Sequence, residues 1–108
     1  MAYTVAHYLT ADGKDPTQSW LDGLRDMKGR VAVLRRIDRI TLGNFGDHKP
    51  VGGGVWELRV DVGPGYRVYY AQAGNTLVLL LCGGDKSSQQ TDIERALAHW
   101  TDWQRRDP

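Results

Sequence analysis

VWELRVDVGPGYRVYYAQAGNTLVLLLCGGDKSSQQ, residues 55–90, is the stretch whose reading decides the fold. In its first run Trp56, Leu58 and Val60 alternate with Glu57, Arg59 and Asp61. That period of two predicts a strand with one buried face and one charged face. After V-G-P-G comes a second strand-like run, Y-R-V-Y-Y-A (66–71), which carries Arg67. The third run, Thr76 to Cys82, is apolar on both faces, as expected of a strand in the middle of a covered sheet. Lys86 follows in a loop opened by Gly83 and Gly84. A polar sheet face carrying Glu57, Arg59, Arg67 and a nearby Lys86 suits an anionic, RNA-like substrate better than it suits a core.

Working outward, Tyr3 to Leu9 reads as an opening strand. Asp15-Pro16 then makes a helix start, Asp15 as N-cap and Pro16 at the first helical position. Trp20, Leu21, Leu24 and Met27 give that helix an apolar stripe, and Gly29 marks a junction. A second helix puts Val33, Leu34, Ile37, Ile40 and Thr41 inward and its arginines outward, and Gly43-Asn44 supplies the left-handed residue that ends it. Asn44 to Gly54 has no periodicity and reads as a loop. Thr91 to Glu94 has capping-box spacing ahead of the stripe Ile93, Ala96, Leu97, Trp100. The order β-α-α-β-β-β-α predicts an α+β domain spanning 1–108: a small, mostly antiparallel sheet, two N-terminal helices and one C-terminal helix.

Composition bounds the function. Hydrophobic content of 41% and charged content of 25% are those of an ordinary soluble domain. No apolar run approaches the roughly 20 residues a membrane span needs, and the polar N-terminus is no signal peptide, so a cytoplasmic protein is expected. The single Cys82 forms no internal disulfide and reads as a buried thiol. Net charge is only +1, yet residues 28–39 hold Lys28, Arg30, Arg35, Arg36 and Arg39 against Asp38 alone. Lys28, Arg35 and Arg39 fall on one helical stripe: a solvated face, or a surface that contacts phosphates. The histidines (His7, His48, His99) and the cysteine lack metal-ligand spacing, so neither metal nor cofactor is expected.

Six segments carry a family resemblance: D-G-K-D-P (12–16), W-L-D-G-L (20–24), R-I-D-R-I (36–40), G-N-F-G-D-H-K-P-V-G-G-G-V-W-E-L-R (43–59), G-P-G-Y-R-V-Y-Y (63–70) and L-L-L-C-G-G-D-K-S-S-Q (79–89). In these the chain resembles the RelE/ParE superfamily of type II toxin–antitoxin toxins, and within it the "addiction module killer" or HigB-like subgroup. The resemblance implies a small toxin neutralised by a cognate antitoxin, often with a helix-turn-helix DNA-binding domain. RelE-like members cut mRNA in the ribosome; ParE-like members share the fold and inhibit DNA gyrase. Fold alone does not choose between them.

Metal-free RNA cleavage uses the ribose 2′-OH as nucleophile and needs a proton acceptor, cations for the charged phosphorane and a donor for the leaving oxygen. By resemblance Arg67, in G-Y-R, stabilises the phosphate and transition state, with a surface ion pair as the alternative. Arg59 would bind phosphate or pair with Glu57 or Asp61. Lys86 would be an electrostatic partner for the leaving oxygen or an exposed lysine before a helix. Glu57 is the candidate proton acceptor, against a structural ion pair. His48 and Lys49 would edge the cleft and contact RNA, joined by the stripe Lys28, Arg35, Arg39. Hairpin parity bears on the whole set: an odd loop, or a bulge doing the same work, would set Arg59 opposite Arg67 on one face, and an even loop without a bulge on opposite faces. Some relatives carry a base-stacking tyrosine after the last strand where this chain has Ser87, Ser88, Gln89 and Gln90. Tyr69 is the available substitute.

Overall fold

The computed structural model describes residues 2–106, with one five-stranded sheet in the order β1-β5-β4-β3-β2. Along the chain run β1 (Thr4–His7), α1 (Pro16–Gly23), α2 (Met27–Ile40), β2 (His48–Gly52), β3 (Val55–Val60), β4 (Tyr66–Ala73) and β5 (Leu77–Asp85). A 3₁₀ turn (Lys86–Ser88) then leads into α3 (Gln89–Arg106). All pairings are antiparallel except that of β1 with β5. The fold is the expected α+β one with a strand added.

That added strand, β2, corrects the reading of 44–54 as loop. Glycines hid it. Gly52 pairs with Val55, so Gly53 and Gly54 form a two-residue hairpin turn with φ of 61° and 86°, the positive values a type I′ turn requires. A register shift between Pro50 and Gly52 breaks the alternation, and the proline is tolerated because β2 is an edge strand.

Helix ends follow their chemistry. Asp15 accepts the Gln18 N–H at 3.0 Å, with Pro16 opening α1. Asp26 caps α2 by accepting the Gly29 N–H at 3.0 Å, and its other oxygen accepts the Tyr66 hydroxyl at 2.9 Å. The junction therefore lies at 24–26, before Gly29 and not at it. Gly29 sits in the first turn, where a methyl group would overlap the Tyr66 ring. Gly43, at φ 86°, ends α2 as expected: its N–H reaches Ile40 O and the Asn44 N–H reaches Arg39 O, a Schellman pattern. The capping box at 91–94 is not used. Asp85 accepts the Ser87 N–H at 2.8 Å and starts the turn earlier, so Thr91 lies inside α3.

The sheet is covered on both faces. Leu21, Val33 and Ile40 of the first two helices meet Leu58, Val68, Tyr70 and Leu80. Ala96 and Trp100 of α3 meet Val55, Tyr69, Leu79 and Leu81. The face of β3 opposite Leu58 is thus partly enclosed and not the open charged surface its alternation predicts. Leu34, expected inside, is 44% exposed. No helix among the described residues is long and apolar enough to cross a membrane.

The Gly83-Gly84 pair has a different function from the sharp turn expected of it. Both residues lie within β5, and Trp20 rests on Gly83 while the Asp92 carboxylate rests on Gly84. Gly83→Ala should cost about 1–3 kcal/mol through overpacking. Gly23→Ala, with open space around its Cβ position, should be neutral or stabilise by up to about 1 kcal/mol. Urea unfolding of the two variants checks the contrast, and equal stabilities would refute the packing constraint.

The Gly29 N–H, then the Tyr66 hydroxyl, hold the Asp26 carboxyl below the usual aspartate range. Its contribution is complete above the unfolded pKa of about 3.9 and disappears as pH falls through the lower folded value. Asp26→Asn should flatten the acid limb of the stability–pH curve; an unaltered limb would show that other groups set it.

Candidate functional site

The loop between β3 and β4 spans residues 61–65, an odd length, and Arg59 lies directly opposite Arg67. Glu57 lies opposite Tyr69 and Lys49 opposite Glu57. Directly paired residues share a face, so Lys49, Glu57, Arg59, Arg67 and Tyr69 belong to the face that α3 covers in part. Arg67 and Lys86 both border Gly65: a methyl there would sit 3.6 Å from Arg67 Nη1 and 3.7 Å from Lys86 Cβ.

Acids balance the facing arginines. Asp47 Oδ1 accepts from Arg59 Nη2 at 2.7 Å and Nε at 3.1 Å. Those two bonds, ahead of the attraction between the charges, raise the Arg59 pKa and lower that of Asp47. Glu57 has no exposed surface, while the Arg67 side chain keeps 12%. Glu57 Oε2 accepts from Gln89 Nε2 at 2.7 Å and from the Tyr69 hydroxyl at 3.2 Å. Burial, then the adjacent Glu57 charge, drives the Tyr69 pKa upward, which keeps that hydroxyl a donor. Glu57 Oε1 and Arg67 Nε are buried, make no hydrogen bond and stand 3.7 Å apart. The recorded hydrogen bond of the Arg67 guanidinium runs from Nη1 to Tyr66 O at 3.3 Å. Tyr69 does share the Arg67 face, but it is wholly buried and offers no ring for stacking.

The other predicted positions lie elsewhere. Lys28, Arg35 and Arg39 are exposed on α2, against the opposite face of the sheet. Arg35 and Arg39 line a cleft of about 260 Å³ with Asp61. Arg36 is not outward-facing as predicted: it donates to Arg59 O at 2.6 Å, Phe45 O at 3.0 Å and Asp47 O at 3.1 Å. His48 is exposed on the edge strand with its ring 5.3 Å from Trp56 and 5.6 Å from Phe45. Asp47, Gln89 and Arg36 were missed by sequence reasoning. Reading 48–52 as a strand would have found Asp47, which falls opposite Arg59. Nothing in the sequence marks Gln89 or Arg36.

This arrangement couples an enclosed carboxylate to a nearly enclosed arginine beside two further cations. Residues 19–99 match the family described as "Phage derived protein Gp49-like (DUF891)". The chain belongs to this family. An uncharacterized protein of Haemophilus influenzae (strain ATCC 51907 / DSM 11121 / KW20 / Rd) is 50% identical over 78 residues, covering 72% of this chain and 79% of that protein. The matched region of this Gp49-like chain contains Glu57, Arg59, Arg67 and Lys86. Membership is compatible with the toxin role that the resemblance implies.

Removing one member of a buried ion pair strands the other charge. Glu57→Gln and Arg67→Gln should each destabilise the Gp49-like fold, and the double variant should lose less than their sum. A double-mutant cycle by denaturant unfolding should give a coupling of at least about 1 kcal/mol; strict additivity would mean that the two charges do not depend on one another.

Proposed function

We propose that this chain is the toxin of a type II toxin–antitoxin pair, RelE-like in its chemistry, cutting mRNA on the ribosome until a cognate antitoxin neutralises it. The observation that carries the reading is Arg59 directly opposite Arg67, with Arg67 and Lys86 both bordering Gly65. Like charges across a ladder are unfavourable. Asp47 and Glu57 offset them but leave guanidinium donors over, and a phosphodiester would use those donors.

In this mechanism Arg67 and Arg59 bind the scissile phosphate and stabilise the phosphorane, and Lys86 stabilises the leaving oxygen. Glu57 suits the ion-pair role better than that of proton acceptor. A carboxylate without exposed surface that already receives two hydrogen bonds holds Arg67 in place and does not meet a ribose hydroxyl. The chain then supplies charge and alignment, and in this reading a group of the ribosome or of the message accepts the 2′-OH proton, in keeping with an enzyme that depends on the ribosome. Lys49 extends the mRNA side along the edge strand, while His48, paired with Leu58, lies on the other face. Lys28, Arg35 and Arg39, on the far side of the sheet, would grip ribosomal RNA. Two separate cationic surfaces suit a protein lodged between message and ribosome.

A ParE-like inhibitor of DNA gyrase is the second reading, and one observation favours it. Ser87, Ser88 and Gln89 follow β5, and their side chains are committed to Asp85, Asp92 and Glu57. That leaves no proton donor or stacking ring there for RNA chemistry.

RNA-end mapping in cells briefly expressing the chain separates the two. New 5′ ends inside translated codons, abolished by Arg67→Ala, are expected. Growth arrest with unchanged RNA ends and an induced DNA-damage response would replace the nuclease with the gyrase inhibitor.

A further inference from the structure

β1 pairs with β5 only as far as Leu80. Beyond it, α1 and α3 flank a cleft of about 460 Å³ whose walls include Lys14, Ser19, Trp20, Gly83, Arg95 and His99. That size falls within the roughly 300–1,000 Å³ of small-molecule sites. None of these residues belongs to the phosphate-handling set above.

The walls are chemically particular. Lys14 and Arg95 come from different elements and are 78% and 52% exposed. Each has an acid nearby, Asp12 at 3.7 Å and Asp92 at 3.6 Å, too far for a hydrogen bond, so their N–H donors remain available. Trp20, backed by Gly83, gives the cleft an aromatic surface. His99 stacks on Tyr8 at 4.6 Å, and its Nε2 is buried without a hydrogen-bond partner. Burial first, then the charge of Arg95, lowers the His99 pKa and keeps the ring neutral at pH 7. A neutral ring, an indole and two cations ask for a planar group and an anion in one ligand.

We propose that this cleft binds a nucleoside phosphate, its base against Trp20 and its phosphate between Lys14 and Arg95. The source is either a free nucleotide or one residue of an RNA strand that also crosses Arg67; this second source rests on the nuclease reading. Helix α3 links the two places. Gln89, which bonds Glu57, and Asp92, Arg95 and His99 fall at i, i+3, i+6 and i+10, one continuous stripe. From Gln89 to Arg95 is about 9 Å along the axis, a span that a few nucleotides cover.

The test titrates the full chain at low salt with AMP and, separately, with a 2′-O-methyl hexanucleotide that cannot be cleaved. The Trp20 indole N–H resonance is followed in the wild type, in Lys14→Gln/Arg95→Gln and in Arg67→Ala. Both altered side chains in the double variant are exposed, and the melting temperatures of it and of Arg67→Ala are measured beside the wild type, with titrations run well below each. The Trp20 resonance should shift in the wild type. The double variant should bind about tenfold more weakly, with the slope of log K against log salt lowered by about 1. If Arg67→Ala also weakens the hexanucleotide, the ligand is part of a strand. If AMP binds and Arg67→Ala changes nothing, it is a free nucleotide and the strand reading fails alone. An unmoved Trp20 resonance with both probes, or a response undiminished in the double variant, overturns the cleft. Hexanucleotide binding that depends on Arg67 but not on Lys14 and Arg95 overturns the cleft and leaves the nuclease standing.

Discussion

Trp20 and the Asp92 carboxylate rest on β5 from opposite faces at consecutive residues, and only glycine leaves room for both. Successive residues of a strand point to opposite faces, so Gly83 lets α1 close on one side and Gly84 lets α3 close on the other. The rest of the molecule is arranged around that double approach. Asp92 is itself fixed by the Ser88 hydroxyl at 2.5 Å, which ties the position of α3 to the 3₁₀ turn carrying Lys86. The turn, the helix and the strand are therefore joined by direct side-chain contacts. Gln89, first residue of α3, reaches Glu57 only because the helix lies this close.

Covering both faces has an electrostatic consequence. A carboxylate drawn fully from water is costly unless it is hydrogen-bonded and paired. Glu57 meets those needs with the Gln89 amide, the Tyr69 hydroxyl and the Arg67 guanidinium. The pairing is incomplete, since Glu57 Oε1 and Arg67 Nε face one another at 3.7 Å with no hydrogen bond. Arg59, by contrast, donates through two nitrogens to a single oxygen of Asp47.

Elements with a clean period or a strong end signal were legible in the sequence: β3, β4, β5, the Asp15-Pro16 helix start and the Gly43 helix stop. The hairpin partnership of Arg59 and Arg67 followed from loop parity once the loop length was known. Features set by a distant partner were not legible. β2 was hidden because an edge strand with a proline, a bulge and a glycine turn has no alternation. α3 started early because Asp85 captures the Ser87 N–H two residues on, ahead of the better-looking box at Thr91. Period two put Glu57 on the polar face correctly but gave no hint that a helix would cover it. Helical spacing likewise put Arg36 among the outward arginines, although it ends on three carbonyls.

Arg36 also explains how a charged site is held at the end of a small sheet. Burial lowers its pKa, with Asp47 opposing that shift, and the guanidinium donates to backbone carbonyls. The carbonyls it gathers belong to Arg59, Phe45 and Asp47. These are the strand that carries one facing arginine and the loop that carries its counterion. Gly46 lies beneath the guanidinium, where a methyl would come within 2.8 Å of Arg36 Nη2. One half-buried cation from α2 thereby joins the backbone of both partners of the exposed ion pair on the other side of the sheet. Arg59 and Arg67 thus stand opposite one another on the ladder, each with an acid of its own, Asp47 and Glu57.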